Sequence, residues 1–303
     1  MLWTEKYRPK TIKEIVGQPN FVLDAEGWLE YKVMPHIILY GGPGTGKTAA
    51  SMALANDFLQ ENKNGNYLEL NASDDRRLET VRTSIKDFAT HMKIGDVPFK
   101  ICHLDEMDGM TADAQNALRR VMERYSDNIR FIITCNDRSK IHEAIQSRSK
   151  AYFFGSVNDD VMYNVIEKIL WKEGIDMPDE ADLGPFIYSH HGDMRGVITG
   201  LQSSLAAGRP LTVQINKKLE DYYEVLSMLV DKNYTNALER LFEMNRQGKT
   251  LKDICVGLHD AVINGDFDSV TKYRLLRVIG ESEWRSSGVT PRVLLSWMVS
   301  QIK

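Results

Sequence analysis

Residues 41–48 read Gly-Gly-Pro-Gly-Thr-Gly-Lys-Thr, and no other stretch of the 303-residue chain restricts its fold as strongly. An apolar, β-prone run at 36–40 stops at Gly41, and a small-residue segment compatible with a helix, 49–58, begins after Thr48. Strand, glycine-rich turn and helix in that order form the context a phosphate-binding loop requires. The glycines let successive backbone amides curl around phosphate oxygens at a helix N-terminus. Lys47 then suits the β- and γ-phosphate charge of a nucleotide, and the Thr48 hydroxyl suits a magnesium ion.

The pattern around this loop extends it into a domain. Strand-like runs recur at 36–40, 67–70, 100–104, 130–134 and 151–154, separated by segments of helical length or spacing. Such alternation predicts a parallel sheet covered on both faces, with its ligand beyond the carboxyl ends of the strands. After Gly155 the strand signal stops. Asn158 is placed to cap a helix whose apolar positions Val161, Val165 and Ile169 repeat at four, and two more helical segments follow before Gly208-Arg209-Pro210 breaks the chain. Further amphipathic helices run to the end, one with the face Leu219, Tyr222, Tyr223, Leu226, Leu229 and Val230. Thr250, Ser269 and the pair Thr290-Pro291 read as helix starts. The expected organisation is a sheet domain at 1–154, a small helical domain at 155–209 and an all-α domain at 210–303.

Composition excludes several alternatives. Hydrophobic residues make up 43% and charged residues 26%, with no low-complexity run, so an ordered chain is expected throughout. The longest apolar stretches are strand-sized, far below the roughly 20 residues a membrane helix needs. The charged N-terminus, MLWTEKYRPK, lacks the apolar core of a signal peptide. No membrane contact and a cytoplasmic location are expected, nuclear in a eukaryote or the host cytoplasm for a viral chain. The three cysteines, Cys102, Cys135 and Cys255, have no metal-ligand spacing and read as small buried hydrophobes. A net charge of −4, with 21 basic and 21 acidic residues in the first 154, confines any nucleic-acid contact to a local stripe.

Two strand ends supply further chemistry. The run 101–104 ends in Asp105-Glu106: the first acid suits a magnesium ion and the second, one residue on, suits polarising an attacking water. The run 130–134 leads into Cys135-Asn136, whose amide can orient that water or read the γ-phosphate. Ser147-Arg148 follows the next helical segment, and an arginine there acts on a nucleotide only if that nucleotide belongs to a neighbouring subunit.

Taken together and in order, Trp3–Pro9 (WTEKYRP), the phosphate loop, Leu70-Asn71-Ala72-Ser73-Asp74, Asp105-Glu106, 114–120 (AQNALRR), Ser147-Arg148 and Gly192-Asp193-Met194-Arg195 resemble the small subunits of replication factor C, the AAA+ ATPases that load sliding clamps. The resemblance covers residues 3 to about 205. It implies an AAA+ P-loop domain, a helical lid and an oligomerising helical collar, with ATP and Mg2+ as cofactors. Tyr7, Arg8, Val16 and Gly17 would border the adenine. Gly42, Pro43, Gly44, Thr45, Gly46, Lys47, Thr48 and Ala49 would hold the phosphates, and Thr48 and Asp105 the metal. Asn136 and Arg195 would be the first and second sensors, and Arg148 the finger given in trans. Asn71 or Arg76 would restrain Glu106 until DNA arrives, while Gln115 and Arg119 would relay between neighbouring sites, unless Arg76 and Gln115 only face solvent or pack a helix. Gly42, Met107, Asp137, Ser149 and Gly196 depart from the family pattern without removing a catalytic group.

The implied partners are a sliding clamp, primer-template DNA and other loader subunits, in a hetero-pentamer with a large subunit. Arg76, Arg77, Arg82, the helix start at Thr111 and Lys140 are candidates for the DNA phosphates. Ile85, Phe88, Ala89 and Met92 are candidates for the clamp, although their spacing equally suits a buried helix face. The competing readings are a branch-migration motor sharing the loop and the acid pair, and a ring subunit that binds ATP only as a structural pin.

Overall fold

The computed structural model describes residues 1–71, 78–208, 217–265, 267–286 and 289–302. The chain divides into two compact units, Met1–Leu211 and Thr212–Lys303. In the first, helices α1 (Trp3–Lys6) and α2 (Pro19–Tyr31) precede strand β1 (His36–Tyr40) and helix α3 (Lys47–Leu59). Then come β2 (Tyr67–Asn71), α4 (Leu78–Thr90), β3 (Lys100–Asp105), α5 (Ala112–Arg124), β4 (Ile129–Cys135), α6 (Glu143–Gln146) and β5 (Ser149–Phe153). The unit closes with α7 (Asp159–Glu173), α8 (Glu180–Tyr188) and α9 (Met194–Ala206).

The five strands form one parallel sheet in the order β2-β3-β4-β1-β5. Because strand side chains alternate, β1 sends Ile37 and Leu39 into one apolar layer, with Ile101, Ile132 and Ala50, Ala53 and Leu54 of α3. Ile38 goes into the other, with Cys102, Leu104, Phe131, Ile133 and Leu118 of α5. Both faces being buried in β1, β3 and β4, these three strands read as mainly apolar runs without regular polar alternation. The order matters for the site: β1 lies beside β4, and β4 beside β3, so the ends of three sequence-distant strands open side by side.

Several strand ends differ from those the sequence runs suggested. β4 spans Ile129–Cys135 because Lys100 pairs with Ile129 at one end and Tyr40 with Cys135 at the other. β5 starts at Ser149, where it meets His36, and ends at Phe153. Asn158 caps α7 as expected, accepting from the Asp160 amide at 2.9 Å, and Gly174 ends that helix in the left-handed conformation. Helices α7 to α9 enclose their own apolar cluster, which includes Met162, Ile166, Leu170, Leu183, Phe186, Val197 and Leu201.

The second unit is helical: α10 (Lys217–Val230), α11 (Tyr234–Arg246), α12 (Leu251–Asn264), α13 (Ser269–Trp284) and α14 (Pro291–Gln301). Its core gathers Tyr222, Leu226, Leu241, Leu258, Ile279 and Leu295. Thr250 caps α12 through a reciprocal capping box with Asp253, and Thr290 precedes Pro291 at the start of α14. Two expectations are corrected. The cap of α13 is Asp268, not Ser269, because its carboxylate accepts from both the Val270 and Thr271 amides at 3.0 Å. Val230, assigned to the apolar face of α10, is exposed at the end of that helix. Among the described residues no helix is long and apolar enough to cross a membrane.

Candidate nucleotide site

Three glycines of the loop after β1 have φ values that side chains rarely adopt: Gly41 at +148°, Gly44 at +72° and Gly46 at +93°. An added Cβ at Gly41 would run into the Phe154 carbonyl, and one at Gly44 into the Asp193 carboxylate. These positions of the loop therefore favour glycine. Gly46 caps α3, so the first amides of that helix face the loop's interior. The Gly42 carbonyl accepts from the Thr45 hydroxyl at 2.9 Å and from the Lys47 ammonium at 2.7 Å. Lys47 also donates to the Gly41 carbonyl at 2.8 Å and to Asn136 Oδ1 at 3.1 Å. The side chain is nearly buried, and burial pulls its pKa below the ordinary lysine value.

The acid pair sits opposite. Both carboxylate oxygens of Asp105 lie 3.2–3.3 Å from the Thr48 hydroxyl. A hydroxyl and a carboxylate at this separation fit a hard divalent ion, which takes oxygen ligands and completes its shell with phosphate and water. His103, two residues back on β3, is fully buried against the Tyr67 hydroxyl at 3.1 Å, and burial lowers its pKa. Glu106 has left-handed backbone dihedrals, φ 54° and ψ 42°, uncommon for a non-glycine residue. Asn136, just past β4, donates its backbone N–H to the Asp108 carboxylate at 3.3 Å. Asp108 thus takes part in the site although the chain departs from the family pattern at Met107.

These groups line one cavity of about 610 Å³. Tyr7, Arg8, Val16, Pro43, Gly44, Thr45, Gly46, Lys47, Thr48, Ala49, Asp105, Glu106, Asn136 and Arg195 all contribute, whereas Gly17 and Gly42 do not. Arg195 enters from the first turn of α9, a helix capped by the Asp193 carboxylate through the Gly196 amide at 2.9 Å. The segment carrying Tyr7 is bolted to α7 and α9. Trp3 is buried in their core and donates its amide to Gln202 at 2.8 Å, while the Tyr7 hydroxyl and Lys6 ammonium both reach Glu173 at 2.6 Å. Sequence reasoning missed Thr134, Val157, Met194 and Ile198, which also line the cavity. All four sit one to three residues from an assigned position or in the first turns of an assigned helix, so only their neighbours signalled them.

Arg148 is not in this cavity. Its guanidinium donates to Glu123 at 2.5 Å and to the Ala144 carbonyl at 2.7 Å, and the side chain is about two-fifths exposed. Asn71 ends β2 in register with Asp105 on the adjacent strand. Gln115 is buried, donating to the Met110 and Lys140 carbonyls at 3.3 and 3.0 Å and accepting from the His142 amide at 2.7 Å. The solvated reading of Gln115 is therefore corrected: it pins α5 to the loop between Asn136 and α6. Arg119 is half-buried, and its Nε has no hydrogen-bond partner among the described residues. Thr111 caps α5, accepting from Ala114 at 3.4 Å, and Lys140 is exposed. Arg76, Arg77 and the side chain of Arg82 lie outside the described residues. The clamp candidates are also corrected. Ile85 and Ala89 belong to the buried layer under β3 and β4 and Phe88 packs against it, which leaves Met92 exposed just beyond α4.

The three cysteines are free and buried. Burial raises all three thiols, Cys135 to about 12 and Cys255 to about 11, so none is a ready nucleophile.

Residues 37–156 match the family model described as ATPase family associated with various cellular activities (AAA). The replication factor C small subunit of Methanococcus maripaludis is 37% identical, over 99% of this chain and 98% of its own length. That of Archaeoglobus fulgidus is 38% identical over 97% and 94%. Among solved structures, the RuvB Holliday junction branch migration motor of Thermotoga maritima superposes with a TM-score of 0.56 over 83% of this chain and 85% of its own, at 15% identity. That last likeness shows a shared fold alone.

Proposed function

The chain belongs to the replication factor C small-subunit family, and from that premise we propose that it is an ATP-hydrolysing subunit of a sliding-clamp loader, its nucleotide site completed by a neighbouring subunit. The observation that carries this reading is the convergence of Lys47, Thr48, Asp105, Glu106, Asn136 and Arg195 on one cavity from which Arg148 is absent. Lys47, resting on two loop carbonyls, is within reach of the phosphate oxygens that would replace them. The loop amides and the N-terminus of α3 hold the negative charge. Thr48 and Asp105 hold Mg2+, which when bound neutralises charge building on the β- and γ-phosphates. Glu106 takes the proton of the attacking water, Asn136 orients that water, and Arg195 brings α9 against the nucleotide. Tyr7 and Arg8 border the base. The helical part at 155–209 serves as the lid and the part at 210–303 as the collar.

Arg148, on the surface beyond α6, serves the nucleotide of the next subunit. Asn71, in register with Asp105, or Arg76 restrains Glu106 until DNA arrives. The DNA track uses Lys140 and the N-terminus of α5 at Thr111, with Arg76, Arg77 and Arg82. Gln115, tying α5 to the Lys140 segment, is suited to link DNA contact to the neighbouring site, with Arg119 one turn along. Of the clamp residues we retain Met92. The assembly proposed is a hetero-pentamer with a large subunit, acting on a clamp and primer-template DNA. A branch-migration motor is disfavoured, since the near-full-length relatives are named replication factor C small subunits while RuvB shares only the fold. A purely structural ATP pin would not need Glu106 and Asn136 in the cavity.

The test is ATP turnover by the assembled complex with clamp and primed DNA. Both should stimulate the parent; Lys47→Ala should lose ATP binding, and Glu106→Gln should keep ATP bound while hydrolysis stops. Parental turnover by Glu106→Gln would remove it as the base, and hydrolysis indifferent to clamp and DNA would remove the loader reading.

A further inference from the structure

Thr134 is buried on β4, two residues before Asn136, and its hydroxyl touches both members of the acid pair. Oγ1 donates to Asp105 Oδ1 and accepts from the Glu106 amide, the latter at 3.2 Å. A hydroxyl has a single proton. With that proton committed to the carboxylate, only the oxygen's lone pairs are left, and one of them accepts from the amide, so both bonds form together and in one sense only. Each acid is thereby held by the neighbouring strand as well as by its own.

The two contacts solve different problems. Asp105 must keep its oxygens turned toward Thr48, and a donor on one oxygen restricts the rotation of its carboxylate. Glu106 sits in the left-handed region, at φ 54°, a conformation that persists in a non-glycine residue only when its surroundings impose it. The Thr134 bond anchors its amide, and the Gly109 amide donating to the Glu106 carbonyl at 3.0 Å anchors its other side. Fixing the backbone there fixes the direction in which the Glu106 side chain leaves β3.

We infer that Thr134 is a positioning residue for hydrolysis: through one hydroxyl it sets both the metal-facing carboxylate of Asp105 and the backbone from which Glu106 reaches the water. The inference rests on the roles proposed above for that pair. It also explains why the strand carrying Asn136 must lie beside β3: the first sensor and the acid pair are set by the same two-strand contact, registered by Leu104 opposite Ile133.

The test compares Thr134→Val, which keeps the shape and removes the hydroxyl, with Thr134→Ser, which keeps the hydroxyl and removes a methyl. In the assembled complex Thr134→Val should lower kcat by about 10–100-fold, the usual effect of removing a group that orients a metal ligand. Binding of a fluorescent ATP analogue in EDTA should stay within about twofold, because the phosphate loop is untouched, while the Mg2+ concentration for half-maximal tightening of that binding should rise. Thr134→Ser should restore kcat and Mg2+ dependence to near parental values. If Thr134→Val does not fold, Thr134→Ala takes its place against the same Ser rescue. Parental kcat in the Val variant, or equal losses in the Val and Ser variants, would overturn the inference. Glu106→Gln measured alongside separates the two ideas: if it is dead while Thr134→Val is normal, only this inference fails.

Discussion

His36, the first residue of strand β1, allows a quantitative test of how that strand is held. Its Nδ1 accepts from the Phe131 amide at 3.1 Å and its ring packs edge-on to Phe131 with centroids 5.4 Å apart. Burial, with a smaller contribution from the Arg130 guanidinium, lowers its pKa from 6.5 to about 4. In the unfolded chain the ring takes its proton near pH 6.5, in the folded chain only near 4. Between those values the unfolded state binds more protons, so stability present above pH 6.5 is lost as the pH falls toward 4. At about 1.4 kcal/mol per pKa unit, the loss from this one group reaches about 2.5 kcal/mol by pH 4.5. His36→Asn offers an amide oxygen to the Phe131 amide but cannot be protonated, and it gives up the ring contact at a cost of about 1 kcal/mol. Urea unfolding followed by tryptophan fluorescence should therefore find the variant about 1 kcal/mol less stable than the parent at pH 7.5 and about 1.5 kcal/mol more stable at pH 4.5. A difference that is the same at both pH values would refute the assignment of a half-buried neutral ring.

Two further outcomes follow from the site. Gly44→Ala must place a side chain at φ +72° against Asp193; about 1–2 kcal/mol of left-handed strain corresponds to roughly a tenfold weaker ATP affinity, and an unchanged Kd by calorimetry would show that the loop binds nucleotide in another conformation. Arg148→Ala should bind ATP normally yet lose stimulated turnover by roughly 10³-fold or more, as for other arginine fingers. Mixed with Lys47→Ala subunits, it should regain partial activity at interfaces that pair an intact loop with an intact finger. Rings shown by native mass spectrometry to be mixed, yet inactive, would leave Arg148 a structural partner of Glu123.

Local chemistry and tertiary placement divide cleanly in this chain. The loop at 41–48, the strand-end acids, Asn136 and the caps at Asn158 and Thr250 were legible from sequence because each depends on its immediate neighbours: a positive φ, a strand end, a free helix amide. The apolar runs identified the strands for the same reason, but their true ends depended on ladder partners up to about a hundred residues away. Burial along α4 was beyond reach, since Ile85, Phe88, Ala89 and Met92 carry a helical spacing whether the face meets the sheet or a partner. The distinction between a cap at Ser269 and one at Asp268 turned on which side chain reached two amides. Thr134 marks the limit most plainly: a lone threonine in an apolar strand has no signature, and its hydroxyl acquires a role only because the strand order sets β4 beside β3, where it meets Asp105 and the Glu106 amide. Residue type and spacing thus determined which groups the chain has for nucleotide chemistry, while the packing of strands distant in sequence decided which of them share a cavity, because contact between such residues is a property of the sheet and not of any segment.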